Sequence, residues 1–364
     1  MKTMKRPVKI ILCVLLTLLL IAAAYFVYVL VSYYRIGDQE LSVTEVNTPA
    51  AEQIGTATPY HLVSWNIGFG AYEADYDFFM DGGTQSWAWS RERLTENLSG
   101  IASFIAVQNA DLLFVQEVDI DGTRSYHVNE QDYVTSCFCA GSNPCSFVTA
   151  QNYDSPFLFY PFTQPHGASV SGLLTMSPFT ITQSERVELP IENTMMKFLD
   201  LDRCYCKNRI PVENGKELVL YNFHLSAYTS DGTIANEQLK IILDDMQAEY
   251  DKGNYCIAGG DFNKDLLGGS EAVFGKADKE YSWAQPIPEG MFDGYAVTLV
   301  APFDASDPVP SCRNADGPYH EGQYVLTVDG FMVSDNVKVE SSKVLDIGFA
   351  YSDHNPVEMR FTCR

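Results

Sequence analysis

Apolar positions in this chain follow three different rhythms. The first is unbroken: Ile10 to Tyr34 holds 25 positions without a charge. At ~1.5 Å rise per residue, a helix of that length crosses a ~30 Å hydrocarbon layer, so residues 10–34 read as one transmembrane helix. The second rhythm recurs every three to four residues. Ser90 precedes Leu94, Leu98, Ile101 and Ile105, and a later stretch carries Leu239, Ile242, Leu243, Met246 and Tyr250. Both predict helices with one buried face, the first opened by a serine cap. The third is a series of short apolar runs that predict strands: His61–Trp65, Leu112–Val115, Leu173–Met176, Leu218–Phe223, Tyr255–Ala258, Val325–Val328, Phe331–Val333 and Val357–Phe361. Strands dominate and do not alternate regularly with helices. Two packed sheets with helices outside are therefore favoured over a doubly wound parallel sheet.

The runs divide the chain into a basic tail (1–9), the apolar helix (10–34), a polar linker or stalk with small residues and proline (35–60), and one large domain (61–364). Lys2, Lys5, Arg6 and Lys9 precede the apolar run and Arg35 follows it. The positive-inside rule then places the N-terminus in the cytoplasm and the domain outside the cell, as a single-pass membrane protein. A cleaved signal peptide is the alternative, with Ala22-Ala23-Ala24 resembling a cleavage site. The apolar run continues ten residues beyond it, longer than a secretory segment needs.

Charge narrows the choice of partner. The chain has 24 basic and 47 acidic residues, net −23. Its first 35 residues carry +5, which leaves −28 on the remainder. Such a domain does not adhere to nucleic acid or anionic lipid by bulk electrostatics. Action on a phosphate ester would need a local site with a bound cation. Eight of the nine cysteines follow the apolar run, with Cys137, Cys139 and Cys145 clustered and Cys204 beside Cys206. Disulfides, free thiols and a metal site are all open, the C-x-C spacing and the lack of adjacent histidines weighing against zinc. Cys256, within an apolar run, reads as a buried thiol.

Candidate chemistry lies where the apolar runs stop. They end on Asn66, Glu117, His224, Asp261 with Asn263, and Asp329, and Asp353-His354 precedes the final run. Singly, each has an ordinary explanation as a turn former, a solvated end or a core histidine. Together, carboxylates and an amide oxygen are hard ligands suited to Mg²⁺ or Mn²⁺. Two histidines add proton carriers near neutral pH, and an acid beside an imidazole fixes its tautomer. This is equipment for metal-assisted phosphoester hydrolysis.

The ordered series SWN, QE, NFHL, GDFN, VDG and SDHNPV resembles the endonuclease/exonuclease/phosphatase family, of DNase I-like fold, over His61 to Phe361. The resemblance implies an α/β (α+β) four-layer α/β/β/α sandwich, here preceded by the transmembrane helix. It implies that Asn66 and Glu117 bind the metal with Asp353 nearby. Asp261 would orient or deprotonate the attacking water, and Asn263 would hold a phosphate oxygen. His354, paired with Asp329, and His224 would contact the scissile phosphate. Looser matches suggest Arg203, Arg124 and Tyr126 as phosphate-side residues. Gly68 stands where some nuclease members carry an aspartate, which puts a second metal in doubt. The implied activity is that of a Mg²⁺- or Mn²⁺-dependent phosphodiesterase. Its substrate would be nucleic acid, a phospholipid head group (sphingomyelinase-like) or an inositol-phosphate or other small phosphoester. A non-catalytic surface binding module is the reading from another class. No protein partner is inferable.

Overall fold

The computed structural model describes residues 5–47, 51–140, 144–198, 200–227 and 232–364. Two seven-stranded mixed sheets face one another. In spatial order, with strands numbered along the chain, the first contains β1 (Gln39–Glu40), β7 (Gln183–Glu188), β8 (Cys204–Pro211), β9 (Glu217–His224), β10 (Tyr255–Asp261), β14 (Asp329–Ser334) and β11 (Val297–Val300). The second contains β15 (Val337–Val344), β16 (Val357–Cys363), β3 (Tyr60–Asn66), β4 (Leu112–Gly122), β6 (Gly167–Ser177), β5 (Cys145–Leu158) and β2 (Thr44–Val46). A two-stranded ribbon, β12 (Cys312–Arg313) with β13 (Val325–Leu326), lies apart.

Side-chain alternation sorts the strands into layers. Leu62, Leu112, Phe114, Leu220, Ile257, Phe331 and Phe361 point between the sheets into one core. Val63, Trp65, Leu113 and Val115 point the other way and meet α2 (Arg91–Gln108) through Leu94, Leu98, Ile101 and Ile105. On that same outer face, α3 (Glu130–Phe138) adds Val134. Val219, Tyr221, Cys256 and Ala258 likewise meet α4 (Thr233–Asp251) through Leu239, Ile242, Leu243 and Met246. The result is the four-layer α/β/β/α sandwich. Central strands are buried on both faces, which is why they read as unbroken apolar runs. Ser90 caps α2 as expected, its Oγ accepting from the Arg93 amide at 3.2 Å.

The structure sharpens three expectations. The neighbouring runs Val325–Val328 and Phe331–Val333 fall in different sheets, β13 in the ribbon and β14 in the first sheet. Within the expected 35–60 linker, the described residues 35–47 and 51–60 are attached to the sandwich. Ile36 and Ile54 are buried, β1 pairs with β7, and β2 pairs with β5. Fully buried Arg186 donates to the carbonyls of Ile36, Gly37 and Asp202. Polar composition concealed this because edge strands keep one side in water. Of the clustered cysteines, Cys139 and Cys145 form a disulfide, whereas Cys204, Cys206 and Cys256 are buried thiols. The N-terminal helix, α1, runs Arg6–Ser32 and is long and apolar enough to cross a membrane.

Candidate active site

Register builds the site. β9 and β10 run parallel with His224 beside Asp261, and β14 runs antiparallel with Asp329 beside Asp261. Three polar side chains therefore stand abreast at one rim. Gly260 permits this closeness: its φ is +145°, and a Cβ there would stand 2.0 Å from the Phe223 carbonyl oxygen. In the facing sheet, β3 ends on Asn66 beside Gln116 of parallel β4, which is irregular between Val115 and Val118 and carries Glu117 there before running on to Gly122. Glu117 itself adopts a left-handed φ of 55°, as does Asn263 at 49°, conformations that cluster at functional sites. The loop before β16 closes the rim. Trp65 Nε1 donates to the His354 carbonyl at 2.8 Å, and Ser352 Oγ donates to the Asn66 carbonyl at 2.8 Å.

All the strand-end residues converge on one cleft. His354 Nδ1 lies 2.7 Å from Asp329 Oδ2 and its Nε2 lies 3.7 Å from Asp261 Oδ2. His224 Nε2 approaches the same Asp261 oxygen at 3.3 Å, and its Nδ1 lies 3.9 Å from Glu117 Oε1. Asn66 Nδ2 is 3.2 Å from Glu117 Oε1 and 3.2 Å from Asp261 Oδ2. Its Oδ1 accepts from the Gly68 amide at 3.0 Å. Asn66 thus presents its donor, not its oxygen, to the two carboxylates. Asn263 donates its amide N–H to Asp261 Oδ1 at 2.8 Å and its Nδ2 to the Leu225 carbonyl at 2.8 Å.

The two histidines are driven apart in charge. Burial drives His224 well below the ordinary imidazole range, with Arg203 and His354 adding to it, so it is neutral. Burial opposes a charge on His354 too, but the carboxylate of Asp329, aided by Cys312, Asp353 and Asp261, holds its pKa well above the ordinary value. Burial pushes Asp261 up to about 7 and Asp353 up to about 6, Glu117 adding to the latter.

The carboxyl groups of Glu117, Asp261, Asp329 and Asp353 thus crowd one rim, while the arginines of the cleft are already engaged within the protein. Arg124 is bidentate to Asp119 at 3.0 and 2.7 Å and stacks 4.0 Å from Phe69. Arg203 bonds Asp200 and the Leu225 carbonyl, leaving its Nε without a partner among the described residues. Arg313 donates to the backbone carbonyls of Gly317, Glu73 and Tyr76. His224 Nδ1 and Asp329 Oδ1 are likewise buried without partners. Uncompensated carboxylates beside orphaned polar atoms suit a cation and a polar substrate. Among the described residues, further ligand-type groupings are Asp261, Asp329 and His354, and Cys312, Asp353 and His354.

Of the looser expectations, Arg203 and Arg124 line the cleft. Tyr126 does not: its ring crosses Trp87 and its hydroxyl donates to the Ala88 carbonyl at 3.2 Å. At Gly68, φ is +52° and a Cβ would meet Tyr72 at 2.6 Å and Asp353 Oδ1 at 3.2 Å, so a side chain there has no room. Sequence reasoning missed Ser311, whose Oγ donates to Asp329 Oδ2 at 2.7 Å, and the cleft residues Asp200, Arg313, Tyr153 and His166. None of these ends an apolar run, so the strand-end signal could not find them.

The sandwich occurs in solved structures. An endonuclease/exonuclease/phosphatase from Beutenbergia cavernae aligns over 84% of this chain and 72% of its own, at 16% identity and TM-score 0.53. The human Nocturnin catalytic domain, with a bound sulfate anion, aligns over 89% and 97% at 15% identity and TM-score 0.52. A family protein from Leptotrichia buccalis aligns over 83% and 99% at 16% identity and TM-score 0.50. No curated protein matches the chain. The family model itself matches residues 63–354, from the first central strand to the histidine of the closing loop, and on that match the chain belongs to the Endonuclease/Exonuclease/phosphatase family.

Proposed function

We propose that this protein is a divalent-metal-dependent phosphodiesterase, held at a membrane by α1. The observation that supports it best is the opposed pair of histidines around Asp261: His354 kept cationic by Asp329, His224 kept neutral by burial. Glu117 and Asp353 would hold Mg²⁺ or Mn²⁺, with Asn66 orienting Glu117. When bound, that cation would neutralise phosphoryl charge in the transition state. The chain's own groups do the rest. Asp261, placed by the Asn263 amide, accepts the proton of the attacking water. His354 offers an imidazolium to the phosphoryl oxygens, and neutral His224 offers a hydrogen bond beside it. Arg203 Nε and Asn263 are the remaining donors available to a phosphate oxygen.

The test uses the full chain and bis(p-nitrophenyl) phosphate, with Mg²⁺, Mn²⁺ or EDTA. Turnover should vanish in EDTA, and Glu117→Gln should lower kcat by a factor on the order of 10² or more. Equilibrium dialysis should show the same variant binding Mn²⁺ more weakly. Full turnover in EDTA would overturn the metal assignment.

A further inference from the structure

Apart from α1, the most exposed run of large apolar side chains among the described residues spans the end of β5 and the loop after it. Residues 157–162 read Phe-Leu-Phe-Tyr-Pro-Phe, and no Asp, Glu, Lys or Arg occurs from 155 to 166. Phe159 is 50% exposed, Tyr160 53% and Phe162 86%. Aromatic residues left in water as a contiguous patch mark a surface that something apolar covers.

The loop is bonded to α1. Tyr25 Oη donates to the Phe157 carbonyl at 3.3 Å and accepts from the Phe159 amide at 2.9 Å. Tyr28 Oη accepts from the Phe157 amide at 3.1 Å, and the rings of Tyr25 and Phe159 cross edge-to-face at 5.3 Å. Tyr25 lies seven residues before the end of α1, so the loop contacts the helix about 10 Å back from its end. Phe157 and Phe159 therefore lie alongside the apolar helix, with Tyr160 and Phe162 following in the loop. The chain beyond α1 adds no slack. Tyr34 Oη donates to Asp154 Oδ2 at 2.8 Å, and Arg35 donates to the Leu189 carbonyl at 2.8 Å and pairs with Glu188 at 2.9 Å. The base of the same loop reaches the cleft. The His166 amide donates to the Tyr160 carbonyl at 3.1 Å, Tyr160 packs on Phe79 at 5.8 Å, and His166 lines the cleft with Glu117, His224 and His354.

We propose that the Phe157–Phe162 loop embeds in the face of the bilayer where α1 ends, and that the cleft it borders takes its phosphodiester from lipid head groups of that bilayer. The inference rests on the reading of α1 as a membrane span and of the cleft as a phosphodiesterase. Aromatic side chains favour this interfacial depth. The charge of the chain, −23, favours a zwitterionic phospholipid over an anionic lipid or a nucleic acid, and the cleft arginines already engaged within the protein offer no basic stripe.

Full-length Phe162→Trp protein in phosphatidylcholine vesicles tests the embedding. Relative to the parent, its added emission should be blue-shifted and quenched by lipids brominated on the acyl chain. Unquenched, water-like emission from protein that floats with the vesicles overturns the inference and leaves the anchor standing. Protein that does not float overturns both. Phe162→Asp then tests the substrate. It should lower kcat/KM on vesicular phosphatidylcholine about tenfold while turnover of soluble bis(p-nitrophenyl) phosphate stays unchanged, because only the interfacial step loses apolar burial. Equal loss on both substrates, no loss on either, or duplex DNA cleaved faster than lipid overturns it. No cleavage of the soluble diester by the parent overturns the phosphodiesterase reading itself, whatever the fluorescence shows.

Discussion

The proton on His354 is held by Asp329, and that fixes the expected pH behaviour. Asp329→Asn keeps the shape of the pair and removes its charge. His354 then loses its proton at lower pH, so the alkaline limb of kcat/KM should move down the pH scale, with kcat falling by a factor on the order of 10³. A pH–rate profile of the folded variant checks both. On the proposed mechanism Asp261 sets the acid limb: it must ionise to accept a proton, and burial raises its pKa to about 7. A bound cation favours the carboxylate, so rising Mg²⁺ should shift this limb to lower pH. The same burial has a stability sign. A carboxyl whose folded pKa is raised binds its proton more tightly folded than unfolded. Its stabilising contribution is present below the ordinary carboxylate pKa and is lost as pH rises to about 7. Asp261→Asn should therefore abolish turnover yet raise the melting temperature at pH 8 relative to the parent, with little gain at pH 5. Calorimetry at the two pH values reads it.

Between the sheets, beneath the site, lies a polar tie. Gln116 Nε2 donates to Asn222 Oδ1 at 2.8 Å, and Asn222 Nδ2 donates to the Leu174 carbonyl at 3.0 Å, all buried. Asn222→Ala removes both bonds, leaving Gln116 Nε2 its longer bond to Ser64 Oγ at 3.2 Å, and should cost about 1–3 kcal/mol in chemical denaturation, since buried polar groups lose bonds. These elements also show what could be read in advance. α2 and α4 were legible from helical spacing, and β3, β4, β9 and β10 from apolar runs, because both their faces are covered. β7 (QSERVE) and β15 (VKVESSKV) were not, since edge and near-edge strands leave polar residues facing water. β8 carries Lys207 and Arg209, which reach the carboxylate of Glu249 on α4, and that compensation lies far away in sequence. Asn66, Glu117, His224, Asp261, Asp329, Asp353 and His354 were legible because they end or precede apolar runs. Ser311 and Asp200 sit in loops without a pattern, and their roles exist only after folding.

For the whole molecule, the passage from α1 into the sandwich is the informative joint. Residues 36–47 hold edge strands and accept from buried Arg186, so a protease cuts there only when those contacts open. Arg186→Ala should raise the cleavage rate in that segment at least tenfold, ahead of any loss of the domain's near-ultraviolet dichroism, by the loss of over 1.4 kcal/mol of local stability. Mass mapping of early fragments checks it. Net charge adds a solution property: duplex DNA should bind weakly, with little dependence on NaCl, because few basic side chains are free to release counterions.

The closing strand has a consequence in time. β16 lies next to β3, roughly 300 residues earlier, and Trp65 waits for the carbonyl of His354. A ribosome adding roughly 5–20 residues per second reaches that strand tens of seconds after β3. Until then the second sheet has no partner for β3 on that side, and the rim lacks both Asp353 and His354. On the proposed mechanism the growing chain is therefore inactive until that strand is in place, and hydrolysis begins only when the fold closes.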